Sequence, residues 1–346
     1  MKNYPLNNNS AKLLGRVVFY GEKLWLTHSA SSCEFEFTGK KLVLDIGCDE
    51  NSLNDKRCNH PRIAVLVDGR TVIKKVIDSS SEVYTLCESD SPASHIVRIV
   101  KLSEGAFSLA CVSAETDDEA SIVPTAPKKL SIEFIGDSIT CGYGVDDSNL
   151  ESDFACEAEN AMKSYAYITA QMLDADYSLF SYSGYGIISG YSADGIRNIR
   201  EVLPPWYEST CFSYSTMNGQ KIQEIPWDFS KAPVDIVVVN LGTNDTNFCE
   251  MRRAYIEFED SYHDFIKKVR ANNPDSLIIC ALGIMEERPL PHIEKAVKRL
   301  KDDNVKVFRF SRQNGWLGYG SNWHPSEETQ RYAAEELARF IKELIS

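Results

Sequence analysis

The chain of 346 residues carries 37 Lys and Arg against 50 Asp and Glu, which gives a formal net charge of −13. This acidic surplus argues against a protein that binds the nucleic-acid backbone, because such a protein needs a basic face. Apolar residues make up 43% and charged residues 25% of the chain, a balance typical of a globular protein. The length predicts about two domains.

The sequence contains neither an apparent membrane helix nor an apparent signal peptide. No stretch approaches the roughly 18–20 apolar residues that a membrane helix requires, and the first residues lack the apolar region of a signal peptide. The ten cysteines are scattered without a Cys-x-x-Cys pair, unlike those of a disulfide-stapled domain. We therefore expect a cytoplasmic protein with reduced thiols, or a secreted one if a signal peptide has been removed.

The first part of the chain is predicted to form short strands separated by turns. Apolar or alternating runs occur at 15–20, 33–38, 41–46, 63–67 and 105–112. Asp68-Gly69 is typical of a hairpin turn, and no segment here has a convincing helical period. These features predict an antiparallel β-sandwich domain over residues 1–125, followed by a linker at 123–129.

From residue 126 onward, predicted strands alternate with predicted helices. Strands are expected at 130–135, 177–182, 235–241, 276–282 and 305–310. Helical periodicity is present at 165–173, 254–269, 293–300 and 333–344. This alternation predicts a parallel sheet covered by helices on both faces, and therefore an α/β domain over residues 126–346.

Residues with functional side chains or a flexible backbone lie in four of the loops that follow the predicted strands. Ligands of open α/β sheets bind beyond the carboxyl ends of the strands, so we expect Ser138, Gly184, Asn244 and His324 to meet at one edge of the sheet. A hydroxyl, a glycine backbone, an amide and an imidazole are the parts of an acyl-transfer site: nucleophile, oxyanion donors and general base. Each residue alone also has a structural interpretation, such as a helix cap for Ser138.

The four segments together resemble the conserved blocks of the SGNH, or GDSL-type, hydrolases. Gly-Asp-Ser138, Gly184, Gly-Thr-Asn244-Asp and His324-Pro-Ser match those blocks in order. The β-rich first part and the sequence Trp-His-Pro-Ser in the last block are similar to carbohydrate esterase family 2. The resemblance implies an SGNH three-layer α/β fold with a central parallel sheet, preceded by a jelly-roll domain. It also implies an acetyl esterase that acts on plant polysaccharides or their fragments.

The resemblance assigns roles to the four residues. Ser138 is expected to be the nucleophile and His324 the general base. The N–H groups of Ser138 and Gly184 and the side chain of Asn244 are expected to hold the oxyanion. No metal or organic cofactor is implied by this chemistry.

The last block departs from the usual pattern of the superfamily. Most SGNH enzymes have an aspartate three residues before the histidine, where this chain has Ser321, followed by Asn322. Family 2 esterases often function with a Ser-His dyad whose histidine is held by a main-chain carbonyl. The sequence is consistent with such a dyad, and a distant carboxylate from Asp245, Glu286 or Glu287 is the alternative.

Aromatic residues near the predicted site are candidates for packing against a sugar ring, namely Trp323, Trp316 and Tyr185. A core position is the alternative for Trp316. The expected partner is an acetylated oligo- or polysaccharide rather than a nucleic acid or a membrane, and a homo-oligomer is left open. Two other functions are considered: an acyl hydrolase of the lipase or thioesterase type, and a non-catalytic carbohydrate-binding protein.

Overall fold

The computed structural model describes residues 1–54 and 59–345, and seventeen strands and seven α-helices are found in these residues. The strands are β1 (Lys2–Tyr4), β2 (Lys12–Leu14), β3 (Val17–Tyr20), β4 (Lys23–Leu26), β5 (Ser32–Cys48), β6 (Arg62–Val67), β7 (Arg70–Val76), β8 (Glu82–Lys101), β9 (Ala110–Thr116), β10 (Ser121–Pro124), β11 (Leu130–Gly136), β12 (Ala175–Ser181), β13 (Thr216–Met217), β14 (Gln220–Lys221), β15 (Ile236–Asn240), β16 (Leu277–Leu282) and β17 (Val305–Arg309). The α-helices are α1 (Glu50–Leu53), α2 (Ser138–Cys141), α3 (Tyr165–Met172), α4 (Thr246–Arg252), α5 (Tyr255–Asn272), α6 (Leu290–Leu300) and α7 (Glu327–Ile345).

The chain forms two compact units. The first comprises Met1–Pro127, Ala155–Glu159 and Ser209–Trp227. The second comprises Lys128–Phe154, Asn160–Glu208 and Asp228–Ser346. The first unit therefore contains two segments that follow the linker in the sequence.

The first unit is an antiparallel β domain, as predicted. Strands β1–β10 join in one half-barrel sheet of order β3-β4-β9-β5-β8-β6-β7, with β1 beside β9 and with β2 and β10 beside β5. One edge of β5 pairs with β8, whereas its other edge pairs in turn with β2, β10 and β9. The inward-facing side chains of β5, including Phe35, Phe37 and Leu42, are fully buried in the core of this unit.

Two predictions for this unit can be compared directly with the structure, and one long strand was not predicted. The Asp68-Gly69 hairpin turn is confirmed, and both residues have the positive φ that such a turn requires. The strand predicted at 105–112 begins only at Ala110. Strand β8 was missed because its Ser/Pro-rich segment is typical of a turn; residues 89–92 fall at a register shift between β8 and β5.

The second unit is an α/β domain with a five-stranded parallel sheet of order β12-β11-β15-β16-β17, as predicted. Strand β15 is buried along its whole length, as expected for a central parallel strand. Helix α3 packs on α7 and helix α5 on α6. The chain passes from β11 to β12 toward one edge of the sheet and from β15 to β16 toward the other edge. Because crossovers between parallel strands are right-handed, the two helix pairs cover opposite faces of the sheet. This arrangement confirms the three-layer fold.

Nine of the ten cysteines lie in the part of the chain that the structure describes, and none of these nine forms a disulfide bond. Cys58 lies outside the described residues. Within residues 1–54 and 59–345, no helix combines the length and the apolar character needed to cross a membrane.

Candidate active site

The topology of the parallel sheet places two of the candidate residues at the same point. With the strand order β12-β11-β15-β16-β17, the chain direction across the sheet reverses between β11 and β15, which is where ligands bind in doubly wound α/β folds. Gly136, the last residue of β11, pairs with Asn240, the last residue of β15. The loops that carry Ser138 and Asn244 therefore begin side by side.

Ser138 is the first residue of the short helix α2, directly after β11. The Asp137 side chain caps this helix by accepting the Ile139 N–H at 3.1 Å. Gly136 is needed before the cap, because a Cβ at this position would lie 2.1 Å from Thr140 Oγ1. Ser138 itself is 7% exposed, so a small part of its surface remains open to a ligand.

His324 lies within hydrogen-bond distance of Ser138. Its Nε2 is 2.9 Å from Ser138 Oγ, and its Nδ1 is 3.1 Å from the main-chain oxygen of Asn322. A carbonyl only accepts hydrogen bonds, so Nδ1 carries the proton and Nε2 is left to accept the hydroxyl hydrogen of Ser138. Burial lowers the pKa of His324 to about 4, which keeps the ring neutral near pH 7.

The backbone before His324 turns sharply to bring the Asn322 carbonyl to the ring. Asn322 and Trp323 have φ angles of 49° and 60°, in the left-handed region, which Asn tolerates and Trp rarely adopts. The N–H of His324 donates to the Ser321 carbonyl at 3.1 Å. The Tyr143 ring packs against the imidazole with a centroid distance of 4.0 Å. These contacts fix the orientation of the imidazole.

Asn244 lies beside the serine helix. Its Nδ2 donates to the Tyr185 carbonyl at 2.9 Å and to Asp137 Oδ2 at 3.3 Å. Burial, together with the charge of Asp245, raises the pKa of Asp137 to about 7. Asp137 has two contacts in the site: one carboxylate oxygen caps α2, and the other accepts from the amide of Asn244.

Gly184 supplies a backbone N–H in the loop after β12. Its φ of 82° lies in the region that favours glycine. Among the described residues, neither the Gly184 N–H nor the Ser138 N–H has a hydrogen-bond acceptor. Two unsatisfied N–H groups, one at the start of α2 and one in the loop after β12, are suited to bind a negatively charged oxygen.

The three carboxylates considered as a third catalytic group have other partners. Asp245 accepts the N–H groups of residues 187–189. Glu286 pairs with Arg288 and also accepts the N–H of Glu287. Glu287 forms an ion pair with Arg309. In the part of the chain that the structure describes, the hydrogen-bond partner of His324 Nδ1 is the Asn322 carbonyl.

The three aromatic candidates differ in exposure. Trp316 is 88% exposed and Trp323 is 50% exposed, so both rings present surface to solvent. Tyr185 is 3% exposed and packs against Tyr182 at a centroid distance of 5.1 Å. What Tyr185 places in the site is its main-chain carbonyl, which holds Asn244, rather than an open ring face.

Two contributors to the site were missed in the sequence. Tyr143 follows α2 by two residues and carries no motif that marks it as a neighbour of the histidine. Gln330, in α7, is fully buried; its Oε1 accepts the Tyr165 N–H at 2.7 Å and its Nε2 donates to the Ile139 carbonyl at 3.0 Å. The helical periodicity predicted at 333–344 does not reach Gln330, so no pattern in the sequence indicated its buried role.

Comparison with known proteins assigns a family to each part of the chain. Residues 132–337 match the family described as GDSL-like lipase/acylhydrolase, and residues 13–126 match the carbohydrate esterase 2 N-terminal domain. Both matches agree with the resemblance found in the sequence.

Three known proteins are similar to most of the chain. Cellulase/esterase CelE of Acetivibrio thermocellus is 29% identical over 317 residues, which cover 88% of this chain but only 37% of that protein. An acetylxylan esterase / glucomannan deacetylase of Cellvibrio japonicus is 25% identical, with 92% of this chain and 85% of that protein covered. The structure of a family two carbohydrate esterase from Clostridium thermocellum in complex with cellohexaose is 26% identical and has a TM-score of 0.79, with 97% of this chain and 99% of that chain covered.

Proposed function

The chain belongs to the GDSL-like lipase/acylhydrolase family of carboxylic ester hydrolases, and we propose that it removes O-acetyl groups from plant polysaccharides or oligosaccharides of the acetylxylan and acetylmannan type. The observation that carries the proposal is the contact of 2.9 Å between Ser138 Oγ and His324 Nε2, in a chain with a carbohydrate esterase 2 N-terminal domain. The similarity to a protein named acetylxylan esterase / glucomannan deacetylase supports this choice of substrates.

The reaction begins when Ser138 Oγ attacks the acetyl carbonyl carbon. His324 Nε2 accepts the hydroxyl proton as the new C–O bond forms. The negative oxygen of the tetrahedral intermediate is bound by the N–H groups of Ser138 and Gly184, which have no acceptor among residues 1–54 and 59–345. Cleavage of the C–O bond to the sugar then transfers the proton from His324 to the sugar oxygen and leaves Ser138 acetylated.

Water completes the cycle. His324 Nε2 takes a proton from the water as it attacks the acetyl-enzyme, and the collapse of the second tetrahedral intermediate returns that proton to Ser138 Oγ and releases acetic acid. The low pKa of His324, about 4, keeps the ring available as a base in both steps.

Asn244 is the third oxyanion donor in this proposal. Both hydrogens of its Nδ2 have acceptors in the free protein, and the contact of 3.3 Å to Asp137 is longer than the contact of 2.9 Å to the Tyr185 carbonyl. The oxyanion replaces the longer of the two contacts, while the Tyr185 carbonyl keeps the amide in place.

A dyad rather than a triad performs this chemistry. The Asn322 carbonyl accepts from His324 Nδ1 at 3.1 Å and selects the tautomer that an aspartate would otherwise select. Asp245, Glu286 and Glu287 are each paired with other groups, which supports the dyad.

Replacement of the nucleophile tests the proposal. Ser138→Ala removes the atom that becomes acetylated, so we expect a loss of more than about 10³-fold in kcat for acetylated xylo- and manno-oligosaccharides, with acetate release followed by NMR. Ser192→Ala is the matched control, because Ser192 is also 7% exposed but donates only to Asp194. Retention of a tenth of the turnover by a folded Ser138→Ala variant contradicts the assignment.

A further inference from the structure

The second unit contains a cavity that Ser138 and His324 do not line. Its volume is about 450 Å³, and it lies between the segment 311–317 and helix α7. Small-molecule sites in proteins have volumes of about 300–1,000 Å³. The lining residues that bear on its ligand are Arg312, Gln313, Asn314, Trp316, Thr329 and Tyr332.

Two aromatic rings at this cavity face solvent. Trp316, on the segment, is 88% exposed, and Tyr332, on α7, is 47% exposed. Rings of this size bury a large apolar area when a ligand covers them, and each has a polar group at its edge. Such rings suit the C–H face of a pyranose, which is apolar on the face and rimmed by hydroxyls.

Polar groups with unused hydrogen-bonding capacity lie next to these rings. Arg312 forms no ion pair within the described residues, and its guanidinium offers five N–H donors. Gln313 Oε1 has no hydrogen-bond partner among the same residues. A buried acceptor without a donor costs about 1–3 kcal/mol, and a sugar hydroxyl is a suitable donor for it. A fatty acyl chain would leave Gln313 Oε1 unsatisfied.

The cavity wall is connected to the loop that carries the catalytic histidine. Gln313 Nε2 donates to the Trp323 carbonyl at 2.9 Å, one residue before His324. Ser326 Oγ, two residues after His324, donates to the Leu317 carbonyl. A ligand in the cavity is therefore held on the same loop system as the catalytic base.

We propose that this cavity is a carbohydrate subsite that binds an unacetylated sugar residue of the substrate, with the rings of Trp316 and Tyr332 against the sugar face and with Arg312 and Gln313 bonded to its hydroxyls. The proposal rests on the proposed function, because it assumes that the acetyl group is carried by a glycan. It adds that the enzyme recognises sugar residues beyond the acetylated one, which gives oligosaccharides an advantage over small acetyl esters.

Binding of unacetylated oligosaccharides tests the subsite independently of catalysis. Xylohexaose, cellohexaose and mannohexaose are titrated by calorimetry into the full-length chain and into its Trp316→Ala and Tyr332→Ala variants. We expect at least one of the three to bind, and each variant to raise its Kd by about tenfold or more, as for a buried aromatic contact. Phe19→Ala is the control, because Phe19 is 43% exposed and lies in the first unit; its Kd should equal that of the wild type.

A second measurement separates binding from chemistry. Both aromatic variants should lose a larger factor in kcat/KM for acetylated oligosaccharides than for 4-nitrophenyl acetate, because this ester has no sugar to place in the cavity. Absence of binding by all three oligosaccharides, or an unchanged Kd in Trp316→Ala, overturns the subsite. A selective loss of activity toward 4-nitrophenyl octanoate also overturns it, because the cavity would then hold an acyl chain.

The outcome for the proposed function is read from a different signal. If the wild-type protein releases no acetate from acetylated oligosaccharides but binds the unacetylated ones in a Trp316-dependent way, the proposed function fails while the subsite stands. If acetate is released but the Kd values do not depend on Trp316 or Tyr332, the subsite alone fails.

Discussion

The orientation of His324 depends on two residues that precede it in the chain. Asn322 and Trp323 both adopt positive φ, and this turn directs the Asn322 carbonyl to the ring Nδ1. The sequence could predict that a carbonyl replaces the missing aspartate, because the resemblance to family 2 esterases implied it. It could not predict which carbonyl, because a tryptophan in the left-handed region contradicts the local preference of that residue.

The proposed dyad predicts that the side chains around His324 contribute little to the rate. We expect Ser321→Ala and Asn322→Ala, made singly, each to lower kcat for 4-nitrophenyl acetate by less than about tenfold, or 1.4 kcal/mol. The reason is that the main-chain oxygen of Asn322, rather than a side chain, accepts from Nδ1. His324→Ala should lower kcat by several orders of magnitude.

Alanine replacements of the three carboxylates complete this comparison. Asp245, Glu286 and Glu287 have partners other than the imidazole, so none should reproduce the loss seen in His324→Ala. Circular dichroism is used to check that each variant is folded. This check is most important for the Asp245 variant, because Asp245 is fully buried and its replacement can destabilise the fold. One folded carboxylate variant with the rate of His324→Ala would establish a triad and refute the dyad.

At the scale of elements, the serine helix α2 is too short to be stable alone. It has four residues, and isolated helices of this length do not form in water. Gln330 connects it to two longer helices: its amide bonds the Ile139 carbonyl in α2 and the Tyr165 N–H at the start of α3, while its own backbone belongs to α7. The position of Ser138 therefore depends on helices that are distant in sequence.

Loss of this connection should affect stability and catalysis together. Gln330→Leu keeps the volume similar but leaves a buried N–H and a buried carbonyl without partners, at about 1–3 kcal/mol each. We expect the free energy of unfolding in urea to fall by about 2–6 kcal/mol and kcat for 4-nitrophenyl acetate to fall as well.

The neighbouring residue provides the control for that measurement. Arg331 is exposed and pairs with Glu327 at 3.7 Å, one turn earlier in α7. Surface pairs of this kind contribute about 0.3–0.5 kcal/mol, so Arg331→Ala should be close to the wild type in both stability and kcat. If Gln330→Leu matches Arg331→Ala, the connection between the helices does not position the nucleophile.

The sequence predicted the elements of the second unit more fully than those of the first. The alternation of apolar strands with amphipathic helices fixes the order of a parallel sheet, because each strand there is buried and each helix has one apolar face. Strand β8 was not predicted, since only four of its twenty residues are buried and its middle contains Ser and Pro. Its place in the sheet depends on pairing with β5, which is a tertiary contact.

At the scale of the whole molecule, the two units are interleaved in sequence. The segment 209–227 belongs to the first unit, where Arg16 donates to the Ser209 carbonyl at 2.7 Å and the Tyr214 N–H donates to the Ala106 carbonyl at 2.8 Å. No shift in composition marks the point at which the chain re-enters the first unit. The position of segment 209–227 depends on long-range contacts, which local sequence patterns do not report.

The interleaving predicts that a fragment of residues 128–346 does not fold like the intact chain. Without the first 127 residues, segment 209–227 loses its partners and exposes Cys211, Met217 and Ile222, which are each fully buried in the intact chain. Exposure of two large side chains and one small one costs about 4–6 kcal/mol, a substantial part of the roughly 5–15 kcal/mol that stabilises a typical protein. We expect the fragment to be insoluble, or to melt well below the intact chain with little activity toward 4-nitrophenyl acetate.

The matched control is the intact chain cut by a protease at a site introduced between Thr125 and Pro127, which keeps every segment present. The cut protein should elute as one species with unchanged melting temperature and kcat, because the segments 155–159 and 209–227 of its second fragment still complete the first unit. A soluble fragment with wild-type kcat would show that the catalytic unit folds without the first 127 residues.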